Sequence, residues 1–192
     1  MNKPLFLFVG RSASGKTTVA NLLNDQYGYK QVWSYTTRPP RSNNEPGHIF
    51  ISESEFENLG ELAAYTFYNN YHYGTTFEQL NECDIYVIDV NGVQSLLEKC
   101  KKYNRVISVI YFDSTVYTRI NRMTERHDSD MQIIARLLQD EKDDWYNQLD
   151  SLVWHYSKIE GIDIDLYKVD ANKGLPVVME QVLYYMNKHL EG

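Results

Sequence analysis

The stretch PLFLFVGRSASGKTT, Pro4 to Thr18, constrains the fold more than any other part of the chain. Leu5 to Val9 is apolar at every position, the pattern of a strand buried on both faces. A glycine-rich loop follows at once, and then a stretch with helical spacing in which Val19, Leu22 and Leu23 share a face and Gly28 can cap the end. Gly10–x4–Gly15–Lys16–Thr17 matches the phosphate-loop pattern in full. Its glycines let backbone N–H groups converge on an anion, and the helix behind them adds its positive end. Gly10, Ser12, Ala13, Ser14, Gly15, Lys16, Thr17 and Thr18 are therefore expected to hold ATP. Lys16 should reach its β- and γ-phosphates, and the Thr17 hydroxyl should bind Mg²⁺. A chance glycine-rich turn is the bland alternative, and the strand before and helix after argue against it.

Further runs extend the rhythm. DIYVIDV (84–90) and RVISVIYF (105–112) read as buried parallel strands, each followed by a helix, over 92–102 and 114–125. A strand near 164–169 and a helix over 174–190 close the pattern. Strands alternating with helices imply an α/β fold, a parallel sheet flanked by helices. Asp89, at the end of IYVIDV, is either a carboxylate on the metal side or a plain strand-end turn aspartate.

Between residues 33 and 83 the rhythm changes to short aromatic stretches and the turn-rich RPPRSNNEPG. SESE (52–55) and TTFE (75–78) each carry the spacing of a capping box. The expected organisation is one domain over 1–192, with a core of 1–32 and 84–192, a small insert over 33–83 and a mobile lid at about 126–135.

Composition narrows the chemistry. Hydrophobic residues are 43% and charged residues 23% of the 192 positions, ordinary for a soluble chain with room for one real core. The apolar run near the start is too short to span a bilayer, and it stops at the glycine loop, so neither a membrane anchor nor a secretory leader is expected. Cys83 and Cys100 stand without CxxC pairing, which suits a reducing cytoplasmic setting and no thiol metal site. A net charge of −7 argues against a nucleic-acid partner. An anionic substrate must then be met by locally clustered arginines.

Those clusters exist. SYTTRPPR (34–41), YGTT (73–76) and RMTERHDSDMQIIAR (122–136) resemble guanylate kinase in order and near-family spacing, from the phosphate loop to about Arg136. The resemblance implies a P-loop nucleoside monophosphate kinase with an acceptor-binding insert and a lid, using ATP and Mg²⁺ on GMP or dGMP. It assigns acceptor-phosphate contacts to Arg38 and Arg41, helped by Ser34 and Tyr73, and lid contacts on the migrating group to Arg122, Arg126 and Arg136. Asp89 and Asn91 fall on the acceptor side, and Thr75 matches a hydroxyl that can reach the base. Physically the set makes sense. Transfer between two polyphosphates brings anions together, so the protein must supply cations and position rather than a nucleophile. Arg119 reads instead as part of a surface helix face, and DEKDDW (140–145) as a solvated run.

The pattern breaks at the acceptor. The family's guanine-reading Glu, nine residues before the YG tyrosine, becomes Ala64; a second base-reading carboxylate becomes Asn91; and a phosphate-contacting tyrosine aligns with His48. Burying guanine without acceptors costs about 1–3 kcal/mol per unpaired group. HIFISESEF (48–56) and VNG (90–92) also resemble ribose 1,5-bisphosphate phosphokinases, which lack the base-reading carboxylates. A third reading is a non-catalytic phosphopeptide-binding module, which typically loses the loop lysine or lid arginines kept here.

Overall fold

A computed structural model of the chain describes residues 3–40, 43, 45–99, 105–140 and 144–189. Arg41 and Cys100 lie outside these residues. Strand β1 (Leu5–Val9) is fully buried and central, in a parallel four-stranded sheet of order β6-β1-β7-β8, with β6 (Ile85–Val87), β7 (Ile107–Asp113) and β8 (Ile164–Asp170). Alternation along β1 divides the core. Leu5, Leu7 and Val9 face one cluster with Val93, Leu96, Leu97 and Leu149, whereas Phe6 and Phe8 face another with Val19, Leu23, Val178 and Met186. Helices α1 (Lys16–Tyr27) and α8 (Leu175–Lys188) cover the second face; α4 (Val90–Lys99) and α7 (Trp145–Lys158) cover the first. The sequence pattern did not single out α7.

The insert region builds a second sheet, of order β3-β2-β5-β4. It contains β2 (Ser34–Thr36), β3 (His48–Phe50), β4 (Leu62–Tyr68) and β5 (Tyr71–Thr76). Asn69 and Asn70 join β4 to β5 with φ of 55° and 64°, the backbone that a two-residue hairpin favours and asparagine tolerates. Short helices α2 (Glu53–Glu57) and α3 (Phe77–Glu82) flank the sheet. Between β7 and α7 lie α5 (Val116–Glu125) and α6 (Asp130–Asp140), joined by a turn in which His127 has a φ of 60°.

Several boundaries differ from expectation. The strand expected over 84–90 stops at Val87, because Asp89 caps α4 instead: its Oδ1 accepts the Gly92 N–H at 2.7 Å. Helix α4 consequently begins at Val90, two residues early. The capping box at Ser52 and Glu55 is present, but the second one uses Thr76 and Gln79, one position beyond TTFE. Thr75 cannot serve as the cap because its side chain points into the core, fully buried.

Candidate functional site

The glycine loop runs between β1 and α1 over Phe112. A side-chain carbon at Gly10, whose φ is 155°, would lie 2.7 Å from the Phe112 carbonyl oxygen. Gly10→Ala is therefore expected to cost about 1–3 kcal/mol of stability, read as a lower urea midpoint at unchanged m-value. Gly15 takes φ 101° and starts α1 with no side-chain cap and no acidic residue in the first turn, leaving that helix end open to an anion.

The loop's carbonyls are held in place. Lys16 Nζ donates to the Gly10 and Arg11 carbonyls at 2.6 and 3.0 Å and to Ser14 Oγ at 3.3 Å. Arg122 reaches across from α5 to the Ala13, Ser14 and Ala171 carbonyls at 3.3, 3.0 and 2.7 Å. Desolvation pulls the Lys16 ammonium down to about 8, against the opposing fields of Asp140 and Asp89.

Lys16 lines two cavities. One, of about 350 Å³, follows the loop from Ala13 to Val19 and is walled by Arg122, Glu125, Arg126, Leu175 and Val178. Thr17, exposed on the first turn of α1, opens into it. The other, of about 210 Å³, lies between the loop and the second sheet. Lysine at the junction places one cation within reach of occupants on both sides.

The second cavity is aromatic with a few convergent polar groups. Ser34 Oγ and His48 Nδ1 are 2.9 Å apart, and the His48 ring meets Tyr73 edge-on at 5.6 Å. Asp89 Oδ1 also accepts the Thr66 hydroxyl at 3.1 Å, and burial raises this carboxyl above its ordinary value. Burial, with the nearby Asp140 and Asp89, pushes the Tyr68 hydroxyl up to about 12; it bonds the Ser12 side chain. Tyr86 and Trp145 complete the wall.

Two expected acceptor contacts do not line this cavity. Asn91 is exposed on α4 and does not line the cavity; Asp89 and Gly92, on either side of it, do. Thr75 is fully buried, and its hydroxyl is spent on Tyr86 at 2.9 Å rather than facing a ligand. Ala64 sits in the core cluster, opposite Thr75 in the β4–β5 ladder. Thr66 and Tyr68, missed in the sequence, share its strand face by the two-residue period and do line the cavity. That period was the available signal.

Each described arginine of the expected set already has an oxygen partner. Arg38, 7% exposed, makes a fork with Glu45 at 2.7 and 3.2 Å, donates to the Pro39 carbonyl and lies over the Phe50 ring. Burial would lower its pKa, but the hydrogen bonds it donates to Glu45, with the fields of Tyr73 and Glu45, leave it raised. Arg126 and Arg136 both bond Asp128 Oδ2 at 2.8 Å. A third cleft, of about 330 Å³, separates Arg38 from Arg136. Arg119 is no surface residue: it is fully buried on Asp140, so DEKDDW begins with a core carboxylate rather than a solvated one. Asp144 caps α7, and residues 141–143 lie outside the described set.

A glycine-rich loop after the central strand of a helix-flanked parallel sheet, with a second sheet facing it across a cavity, defines an α/β fold of the kind a guanylate kinase has. In sequence the chain is similar to guanylate kinases, and it shares the fold of one. A guanylate kinase of Fusobacterium nucleatum is 26% identical over 181 residues, covering 88% of this chain and 96% of that protein. One of Geobacter metallireducens is 33% identical over 107 residues, 50% of this chain, and one of Neisseria gonorrhoeae is 39% identical over 84. The chain spans about half the length of the Geobacter protein (53%) and 40% of the Neisseria one. A solved guanylate kinase from Anaplasma phagocytophilum shares the fold at TM-score 0.55 and 16% identity, over 98% of this chain and 87% of that one. No protein-family model matches the chain. Among the described residues, no helix is long and apolar enough to cross a membrane.

Proposed function

We propose that the protein transfers the γ-phosphoryl group of ATP to a nucleoside monophosphate, with GMP or dGMP as acceptor. The observation that carries this reading is that Lys16 lines both the phosphate-loop cavity and the cavity against the second sheet. The loop from Gly10 to Thr18 would hold the ATP phosphates, with Ala13 to Thr18 lining the first cavity. Exposed Thr17 suits a cation that is held mainly by phosphates and water, so the residues fit Mg²⁺. Bound there with ATP, the ion would neutralise phosphate charge. Among the described residues no cluster of three His, Cys, Asp or Glu side chains could hold a metal by itself.

On the acceptor side, Ser34, His48 and Tyr73 offer polar contacts to the phosphate, and Asp89 offers an acceptor to base N–H groups. Arg38 supplies a fork shaped for phosphate, and Arg41 of the same motif is the second arginine assigned to it. Neither attack nor departure needs a protein nucleophile; Lys16, Arg122, Arg126 and Arg136 supply charge as two anions approach. Binding exchanges carboxylate for phosphate: Arg38 leaves Glu45, and Arg126 and Arg136 leave Asp128 as the lid closes over 126–135. The guanylate kinase relatives support the acceptor class, and Asp89 supplies a base-reading carboxylate where Ala64 and Asn91 do not.

An ADP-release assay across GMP, dGMP, AMP, UMP and ribose 1,5-bisphosphate tests the reading. The expected result is turnover with GMP and dGMP well above the other nucleotides. Turnover with the bisphosphate alone, or with no acceptor, overturns it.

A further inference from the structure

One buried charge cluster beside the site has no part in the transfer just described. Arg119 and Asp140 are 0% and 1% exposed, and Arg119 Nη1 lies 2.9 Å from Asp140 Oδ2. Arg119 comes from α5, and Asp140 is the last residue of α6. Asp140 does more than neutralise the arginine. Its Oδ2 accepts the backbone N–H of Ser12 at 2.8 Å, and its Oδ1 accepts the Ser12 hydroxyl at 3.3 Å. Ser12 is the third residue of the glycine loop, and Tyr68 at the end of β4 bonds the same side chain.

A phosphate cradle binds well only when its amides already converge before the ligand arrives. The loop's carbonyls are restrained by Lys16 and Arg122. The Ser12 N–H is the complementary restraint: a carboxylate from α6 holds it. A buried ion pair is a costly brace where two apolar side chains would pack as well, so its placement against the loop calls for a reason. A bare carboxylate would also repel an incoming anion; Arg119 removes that charge.

We infer that Asp140 is a positioning residue, which sets the shape of the phosphate loop through Ser12 while Arg119 neutralises it. This rests on reading the loop as a nucleotide phosphate site. The same helix carries Arg136. The competing account is that Arg119 and Asp140 only brace α5 against α6.

Two double variants separate the accounts, because neither leaves a buried charge unpaired. R119M/D140L removes every acceptor for the Ser12 N–H; R119M/D140N keeps a carbonyl in its place. Thermal midpoint, MgADP affinity by calorimetry and amide hydrogen exchange of the 8–18 segment are measured for each and for the unmodified protein. The expected result is that both variants fold cooperatively, while R119M/D140L binds MgADP ~10-fold or more weakly and exchanges faster in the loop. R119M/D140N recovers most of both. A folded R119M/D140L with unaltered MgADP affinity and unaltered loop exchange overturns the proposal. Should the leucine variant fail to fold, R119Q/D140S makes the same comparison, since serine is too short to reach the Ser12 amide. If the unmodified protein binds no MgADP, the nucleotide reading falls instead, and loop exchange in the same set still decides the role of Asp140.

Discussion

Lys16→Ala is expected to lower kcat by about 10³-fold with the fold intact by circular dichroism. The reason is position. Lys16 is shared by the two cavities and holds the Gly10 and Arg11 carbonyls in the ligand-free protein. Substrates would meet across it, so its charge acts where the phosphoryl group travels, and no other described cation lines both cavities. A loss below tenfold would place the transfer elsewhere. The lysine also carries a pH signature. Its pKa lies near 8 in the folded protein, below the ordinary 10.5. Nucleotide affinity of the free protein is therefore expected to fall as pH rises through about 8, because the cation is lost. Stability of the ligand-free protein moves the other way. Between about 8 and 10.5 the unfolded chain binds the extra proton, so stability rises with pH across that window. Calorimetric MgADP titrations and urea unfolding across pH 7–10.5 would read the two trends.

Arg38→Lys is expected to lower kcat/KM for the acceptor by about 10²-fold, mainly through KM, with MgADP affinity unchanged. Arg38 presents its fork to Glu45 at 2.7 and 3.2 Å, and an acceptor phosphate would present the same two-oxygen face. Lysine keeps the charge but not the fork, and leaves the enclosed Glu45 partly satisfied, which protects the fold. Steady-state kinetics with the acceptor varied, beside MgADP titration, checks the split. Equal losses on donor and acceptor would mean that Arg38 serves the fold and not the acceptor.

The two predictions differ in how far the sequence alone supports them. Lys16 needed only its neighbours: an apolar strand, two glycines and a helix, all local. Arg38 was legible as a motif residue, but its partner Glu45 and its place on the cleft facing Arg136 were not. Arg119 was misread because one residue cannot reveal burial when the partner that makes burial tolerable lies elsewhere. In the sequence it reads as part of a surface helix face, but Arg119 is buried against Asp140.

Local pattern determined the strand order's raw material, the phosphate loop, the capping box at Ser52 and the alternation of strands with helices, since apolar periodicity encodes which face leaves water. Tertiary structure alone decided the cavity. It turned Thr75 inward and Asn91 outward, put Thr66 and Tyr68 beside Asp89, and joined Ser12 to Asp140 across 128 positions. The physical reason is that burial of apolar surface is summed residue by residue, whereas a buried polar group is tolerable only with a partner, and that partner's identity is set by where the chain crosses itself.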